Sequence, residues 1–212
     1  MIILPSAYLP PVQYFTKLYV GEPITIECHD NFVKQTYRNR CMIDSPNGRL
    51  SLSIPVEHAG GEKQRMCDIR LSEHGRWRQM HWNALVSSYR NSPFFDYYAD
   101  DFRPFYDEAC PYRRLVDFNR ALLDTVCNLL DLKPHITYSE TYVTPASNDT
   151  DLRESIHPKH PAEDPHFSPK PYYQVFAQKH GFQPNLSIVD LLFCMGPETR
   201  LVLRDSVQHS LH

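Results

Sequence analysis

The sequence predicts a mixed α/β chain of the α+β type, with an N-terminal, largely antiparallel sheet, a central helical layer and a long loop rich in proline and histidine. Three observations carry that expectation. Segments before residue 57 alternate apolar and polar residues, as in Ile24-Thr25-Ile26-Glu27-Cys28, the period of a half-buried strand. From Trp77 onward the apolar period lengthens to that of a helix. Between residues 140 and 171 aliphatic residues thin out while Pro145, Pro158, Pro161, Pro165, Pro169 and Pro171 accumulate.

Taken in order, Ile2-Ile3-Leu4 reads as a short buried strand stopped by Pro5, and Val12 to Tyr19 suits a short helix that Glu22-Pro23 breaks. Ile24 to Cys28 forms a second strand. Arg40 to Ile43 and Arg49 to Val56 flank Asp44-Ser45-Pro46-Asn47-Gly48, a turn whose proline and Asn-Gly supply the backbone angles of a hairpin. In its second arm Leu50, Leu52 and Ile54 point one way, Ser51 and Ser53 the other. His58 to Glu62 is expected to be a flexible loop, and Cys67 to Leu71 a further strand. Trp77, Met80, His81, Ala84, Leu85 and Ser88 fall on one helical face, ended by Asn91-Ser92-Pro93. A helix from Pro93 to Tyr106 follows, with Tyr98, Phe102 and Phe105 inward. Tyr112 to Leu132 is the strongest helix, striped by Leu115, Phe118, Leu122, Val126 and Leu129. His135 to Tyr138 returns as a strand. Near the end, Ser187 caps a helix from Ile188 to Met195 with Asp190 as reciprocal partner, and Gly196-Pro197 terminates it. With no internal repeat, a single domain over residues 1–212 is expected, in which residues 140–171 form a long loop or lid.

Composition narrows the function classes. A chain of 212 residues with 42% hydrophobic and 12% aromatic content can bury a core, which argues against global disorder. Lys plus Arg number 22 against 25 Asp plus Glu, a net charge of −3, so no chain-wide attraction to nucleic acid or anionic membrane exists. Six cysteines lie scattered without a CxxC pair, as in a protein of reduced thiols. Met1-Ile2-Ile3-Leu4-Pro5 lacks the basic start and apolar run of a signal peptide, and no stretch reaches the ~18 apolar residues of a membrane span. A cytoplasmic location is therefore expected. Gly-rich phosphate loops, GxSxG elbows and HExxH pairs are absent from the sequence, which disfavours a nucleotide-dependent kinase or a serine hydrolase and names no cofactor.

The segment richest in chemistry is Lys34-Gln35-Thr36-Tyr37-Arg38-Asn39-Arg40. Three cations, two amides and a phenol fall within seven residues, directly before a strand. Strand alternation would put Tyr37, Asn39 and Cys41 on one side and Arg38 and Arg40 on the other. Arginine offers a planar fork for a carboxylate or phosphate, so this is the candidate anion site. Lys34 and Arg40 would hold the anion, Tyr37 and Asn39 would orient the substrate, and Arg153 or Lys159 on the long loop would close over it. A lysine-rich strand edge that blocks aggregation is the plainer reading of the same cations. His157, His160, His166, Glu163 and Asp164 are all metal-ligand types, but their spacing matches no compact zinc motif; solvated loop histidines are the better reading, and no metal site is assigned. His81 reads as a hydrogen-bonded core histidine, and Cys41 as core packing.

Several segments together resemble one family, the WbqC-like proteins, bacterial proteins often encoded among genes for surface-polysaccharide assembly. They are Leu4-Pro5-Ser6-Ala7-Tyr8-Leu9-Pro10 with Gln13-Tyr14-Phe15, the Lys34 to Arg40 stretch, Leu52-Ser53-Ile54-Pro55-Val56, Trp77 with His81-Trp82, and Tyr89-Arg90-Asn91-Ser92-Pro93-Phe94-Phe95. The tail from Tyr173 through Gly196-Pro197 resembles the form seen in Bacteroidetes-type members. Leu4 departs from the usual glutamine, and Glu27-Cys28-His29-Asp30 compresses a region where two aspartates are common. The resemblance implies a transferase modifying an activated amino sugar, by acyl or aminoacyl transfer, with a small anionic or sugar-linked ligand as partner. Its rival is a non-catalytic adaptor in a polysaccharide-assembly complex.

Overall fold

The computed structural model describes residues 1–57 and 63–208; the loop expected at His58 to Glu62 lies outside them. In chain order the elements are β1 (Ile2–Pro5), α1 (Val12–Val20), β2 (Ile24–Glu27), β3 (Arg40–Ser45), β4 (Gly48–Ser53), α2 (Trp77–Tyr89), α3 (Phe95–Phe102), α4 (Leu115–Leu129), β5 (Ile136–Tyr138), β6 (Thr150–Asp151), α5 (Ala177–His180), α6 (Ile188–Met195) and α7 (Thr199–Ser206). Short 3-10 turns stand at Met66–Asp68, Arg103–Tyr106 and Gly196–Glu198. Helices and strands mix as the sequence predicts. The pairing of the N-terminal strands differs from the antiparallel expectation. β1, β2, β5 and β6 form a parallel sheet in the order β5-β2-β1-β6, and antiparallel pairing among the named strands is confined to the β3–β4 hairpin. The reason lies in α1: a helix between β1 and β2 carries the chain back to its starting edge, so the next strand runs the same way.

The core is one cluster of buried side chains reaching from Ile2 to Leu203. α1 packs on α6 and α7, and α6 also touches α2, α3 and β3. Tyr98, Phe102 and Phe105 point inward as expected, and so do Leu115, Phe118, Leu122 and Val126 of α4. Met80 is exposed, so the buried face of α2 is narrower than its sequence suggests. Leu52 and Ile54 are buried while Leu50 is about one-third exposed. Met66–Asp68 make a 3-10 turn, and Arg70 and Leu71 make isolated bridges to Arg114 and Val56, so the strand expected at Cys67 to Leu71 does not form. Among the described residues no helix is long and apolar enough to cross a membrane.

Ser187 caps α6, its hydroxyl accepting from the Val189 N–H at 3.4 Å. Asp190 does not return the bond. Its carboxylate instead accepts from the Tyr172 hydroxyl at 2.6 Å, the Tyr89 hydroxyl at 2.8 Å and Gln174 Nε2 at 3.1 Å. At the far end of α6, Gly196 has φ +53°, and a Cβ there would stand 2.5 Å from the Phe94 ring. Gly196→Ala is therefore expected to lower stability by about 1–3 kcal/mol, measured by urea denaturation; an unchanged midpoint would refute this close fit.

Candidate functional site

In a parallel sheet every strand ends on the same edge, and the loops that leave it converge there. From β1 the chain moves outward to β2 and β5, then crosses back to place β6 on the other side of β1. Such a reversal opens a crevice at the carboxyl ends of the strands, the usual ligand position in open α/β sheets. Here a cavity of about 280 Å³ is lined by Asp30, Tyr142, Asp151, Arg153, Glu154 and Ser155. Asp30 follows β2, Tyr142 follows β5, and Arg153 and Glu154 follow β6.

Beneath the cavity sits an ionic lattice. Glu27, the last residue of β2, is fully buried. Its Oε1 accepts from the His29 N–H at 2.6 Å and the Ser139 hydroxyl at 2.8 Å, and its Oε2 from the Val143 N–H at 2.7 Å. Arg153 Nη1 lies 3.4 Å from the same Oε2 and donates to the Val143 carbonyl at 3.1 Å. The Arg153 fork also clasps Asp151, with Nε to Oδ1 at 2.9 Å and Nη2 to Oδ2 at 2.7 Å. These hydrogen bonds from Arg153 hold the Asp151 carboxyl below its ordinary pKa.

Arg38 is the second buried cation, 2% exposed. Its Nη2 donates both to Asp30 Oδ2 and, at 2.8 Å, to Glu154 Oε1. Burial lifts the Asp30 carboxyl above its ordinary pKa, against the pull of Arg38. Asp30 Oδ1 has no hydrogen-bond partner among the described residues. A carboxyl of raised pKa with a spare, buried oxygen behind the wall of a crevice has the makings of a proton acceptor.

Of the residues singled out in the sequence, Arg153 alone lines this cavity. Arg153 lines the cavity, with its charge already matched by Asp151 and Glu27. The Lys159 ammonium reaches the Gln35 side chain, which ties the long loop to the turn bearing Lys34; both lysines are exposed. Tyr37 is buried, its carbonyl accepting from the Tyr8 N–H at 2.8 Å. Asn39 Nδ2 donates to the Ile54 carbonyl at 2.8 Å, and Arg40 Nε to the Ser53 hydroxyl at 3.1 Å. Tyr37 is thus spent in the core and Asn39 and Arg40 on the hairpin, and none of the three lines the cavity. The alternation expected there does not apply, because the strand begins only at Arg40 and residues 34–39 form turns.

Sequence reasoning passed over Asp30, Arg38, Glu27 and Tyr142 as site residues. Arg38 stood inside the flagged segment, and four consecutive polar or thiol residues from Glu27 to Asp30 stood at a strand end; those were the available signals. His81 is a core histidine as expected: its Nδ1 is 3.0 Å from the Tyr8 hydroxyl, and burial depresses its pKa to about 4. Cys41 is fully buried, which pushes its thiol pKa well up. In the long loop, His157 Nδ1 accepts from the Lys159 and His160 N–H groups at 3.0 and 3.1 Å, so it braces a turn. Asp164 pairs with Lys17 at 2.7 Å.

Comparison with known families matches residues 6–164 to the WbqC-like protein family, most of the chain. The chain belongs to the WbqC-like protein family. It is also similar to the Uncharacterized protein Rv1507c of Mycobacterium tuberculosis (strain ATCC 25618 / H37Rv), at 25% identity over 224 residues covering 95% of this chain and 96% of that one. No solved structure matches the chain. All six lining residues of the carboxyl-edge cavity in this WbqC-like protein fall within the matched span, whereas α5, α6 and α7 lie beyond it.

Proposed function

We propose that this WbqC-like protein is a group transferase that modifies an activated amino sugar in surface-polysaccharide assembly, bound at the carboxyl edge of the parallel sheet. One observation carries the reading: Asp30, held by the buried Arg38, presents a carboxyl of raised pKa at a crevice that also offers Tyr142 and further carboxylates. Tyr142, 57% exposed, supplies an aromatic face for a pyranose. Glu154, Asp151 and Ser155 supply acceptors for sugar hydroxyls. Lys34 and Lys159 are exposed cations on the segments that follow β2 and β6, suited to a sugar-linked phosphate. Residues 140–171 serve as the lid, with Lys159 and Gln35 as its latch.

In the transfer step the sugar amine attacks the carbonyl of an acyl donor. A C–N bond forms, the bond to the donor's leaving group breaks, and the amine proton passes to Asp30. Arg38 is the positioning residue that keeps Asp30 in place, and Arg153, paired with Asp151 and Glu27, holds the crevice wall. Calorimetry with uridine-diphosphate-linked amino sugars tests binding: Lys34→Ala with Lys159→Ala is expected to weaken it at least tenfold. Asp30→Asn is expected to leave binding within about twofold and cut transfer from an acyl thioester about a hundredfold. Binding untouched by the lysine changes, or transfer untouched by Asp30→Asn, would refute the assignment and favour the adaptor role.

A further inference from the structure

A second cavity, of about 720 Å³, opens between the start of α2 and the 3-10 turn Arg103–Tyr106. It shares no lining residue with the carboxyl-edge crevice. At its wall stands Arg78, only 6% exposed. One of its nitrogens, Nη1, donates to the Phe105 carbonyl at 2.9 Å. Among the described residues Nε and Nη2 find no hydrogen-bond partner. The nearest carboxylate oxygen, Glu73 Oε1, is 3.9 Å from Nη2, and its side chain is 60% exposed and shared with Arg113 at 3.6 Å. A buried guanidinium with two undirected N–H groups is costly unless something else completes its bonding.

The surroundings indicate what that would be. The Arg78 guanidinium lies 4.5 Å from the Trp77 ring centroid, and Arg103 lies 5.1 Å from that of Trp82. Both rings and both arginines line the same cavity. Arg103 is partly satisfied by Asp107 at 3.0 Å, and Glu108 adds a further carboxylate at the rim. The floor is Tyr106, whose hydroxyl is 2.8 Å from that of Tyr8. Cationic forks beside indole faces suit a molecule with an oxyanion at one end and a flat ring at the other.

We propose that this cavity is a ligand site for a small organic anion in which a carboxylate or phosphate is carried on a flat ring. The oxyanion takes the unpartnered Nε–H and Nη2–H of Arg78, which Glu73 uncovers by turning out to solvent, and the ring lies against Trp82. This site is independent of the transferase reading.

The chain's 2 tryptophans both line the cavity, so intrinsic fluorescence reports on it directly. Titration with phenyl phosphate and with benzoate is expected to give a saturable change for at least one, and whichever binds tighter names the oxyanion. Inorganic phosphate, lacking the ring, should bind at least tenfold more weakly. Arg78→Lys removes the fork and should weaken binding at least tenfold. Should that variant not fold, Arg103→Gln at the half-exposed rim should weaken it severalfold. No saturable change with either probe, or curves unaltered in the folded variant, would overturn the site.

Discussion

Glu27→Ala is expected to lower the unfolding free energy by about 3–5 kcal/mol, the range for breaking a buried charge pair by removing one partner. The fully buried carboxylate joins the segments that follow β2, β5 and β6 at the sheet's carboxyl edge, through His29, through Ser139 and Val143, and through Arg153. Alanine leaves two backbone N–H groups and a hydroxyl without their acceptor and deprives Arg153 of one counter-charge. Asp151 still clasps the Arg153 fork, which keeps the loss from growing larger. Thermal unfolding should shift down by on the order of 10 °C. Glu27→Gln restores an acceptor but no charge, so its loss should be intermediate. A drop below about 1 kcal/mol for the alanine variant in urea would mean that the lattice beneath the crevice does not hold these loops together.

The second large effect concerns Asp190 and pH. Burial, outweighing hydrogen bonds from Tyr172, Tyr89 and Gln174, raises its carboxyl from 3.8 to about 6, and Asp44 nearby pushes the same way. The folded group therefore holds its proton more tightly than the unfolded one. Its stabilising contribution is complete below about pH 4 and is lost as pH rises through about 6. A carboxyl moved that far corresponds to on the order of 3 kcal/mol. Asp190→Asn cannot titrate. The stability of the native chain minus that of the variant should accordingly fall by about that amount between pH 4 and pH 7. Urea denaturation at four pH values across this range checks it, and a difference independent of pH would refute the assignment.

Much of the fold was legible from local pattern alone. The strand at Ile24-Thr25-Ile26, the Pro46-Asn47-Gly48 turn and the apolar stripes of α4 and α6 lie where the periods place them, although β2 is buried on both faces and not on one. These signals need no distant partner. β6 has only two residues, Thr150 and Asp151, inside a proline-rich loop, and it exists because the edge of β1 offers it hydrogen bonds. α7 restarts after Gly196-Pro197, a pair that reads as a stop. Asp190 occupies the position of a capping partner, yet two tyrosines and a glutamine from other segments claim its carboxylate.

The site follows the same division. Residue types and their order along the chain pointed to the Lys34 to Arg40 segment and to Arg153 and Lys159, and they supported membership of the family. Which of those cations stays free is a matter of what the fold sets opposite each one. Arg38 and Arg153 are claimed by carboxylates from β2, its following loop and the β6 region, which are neighbours only because four parallel strands end on one edge. Coulomb attraction depends on distance in space, so no spacing along the chain could have said that the buried guanidiniums near this crevice were already paired and that Asp30 stood beside it.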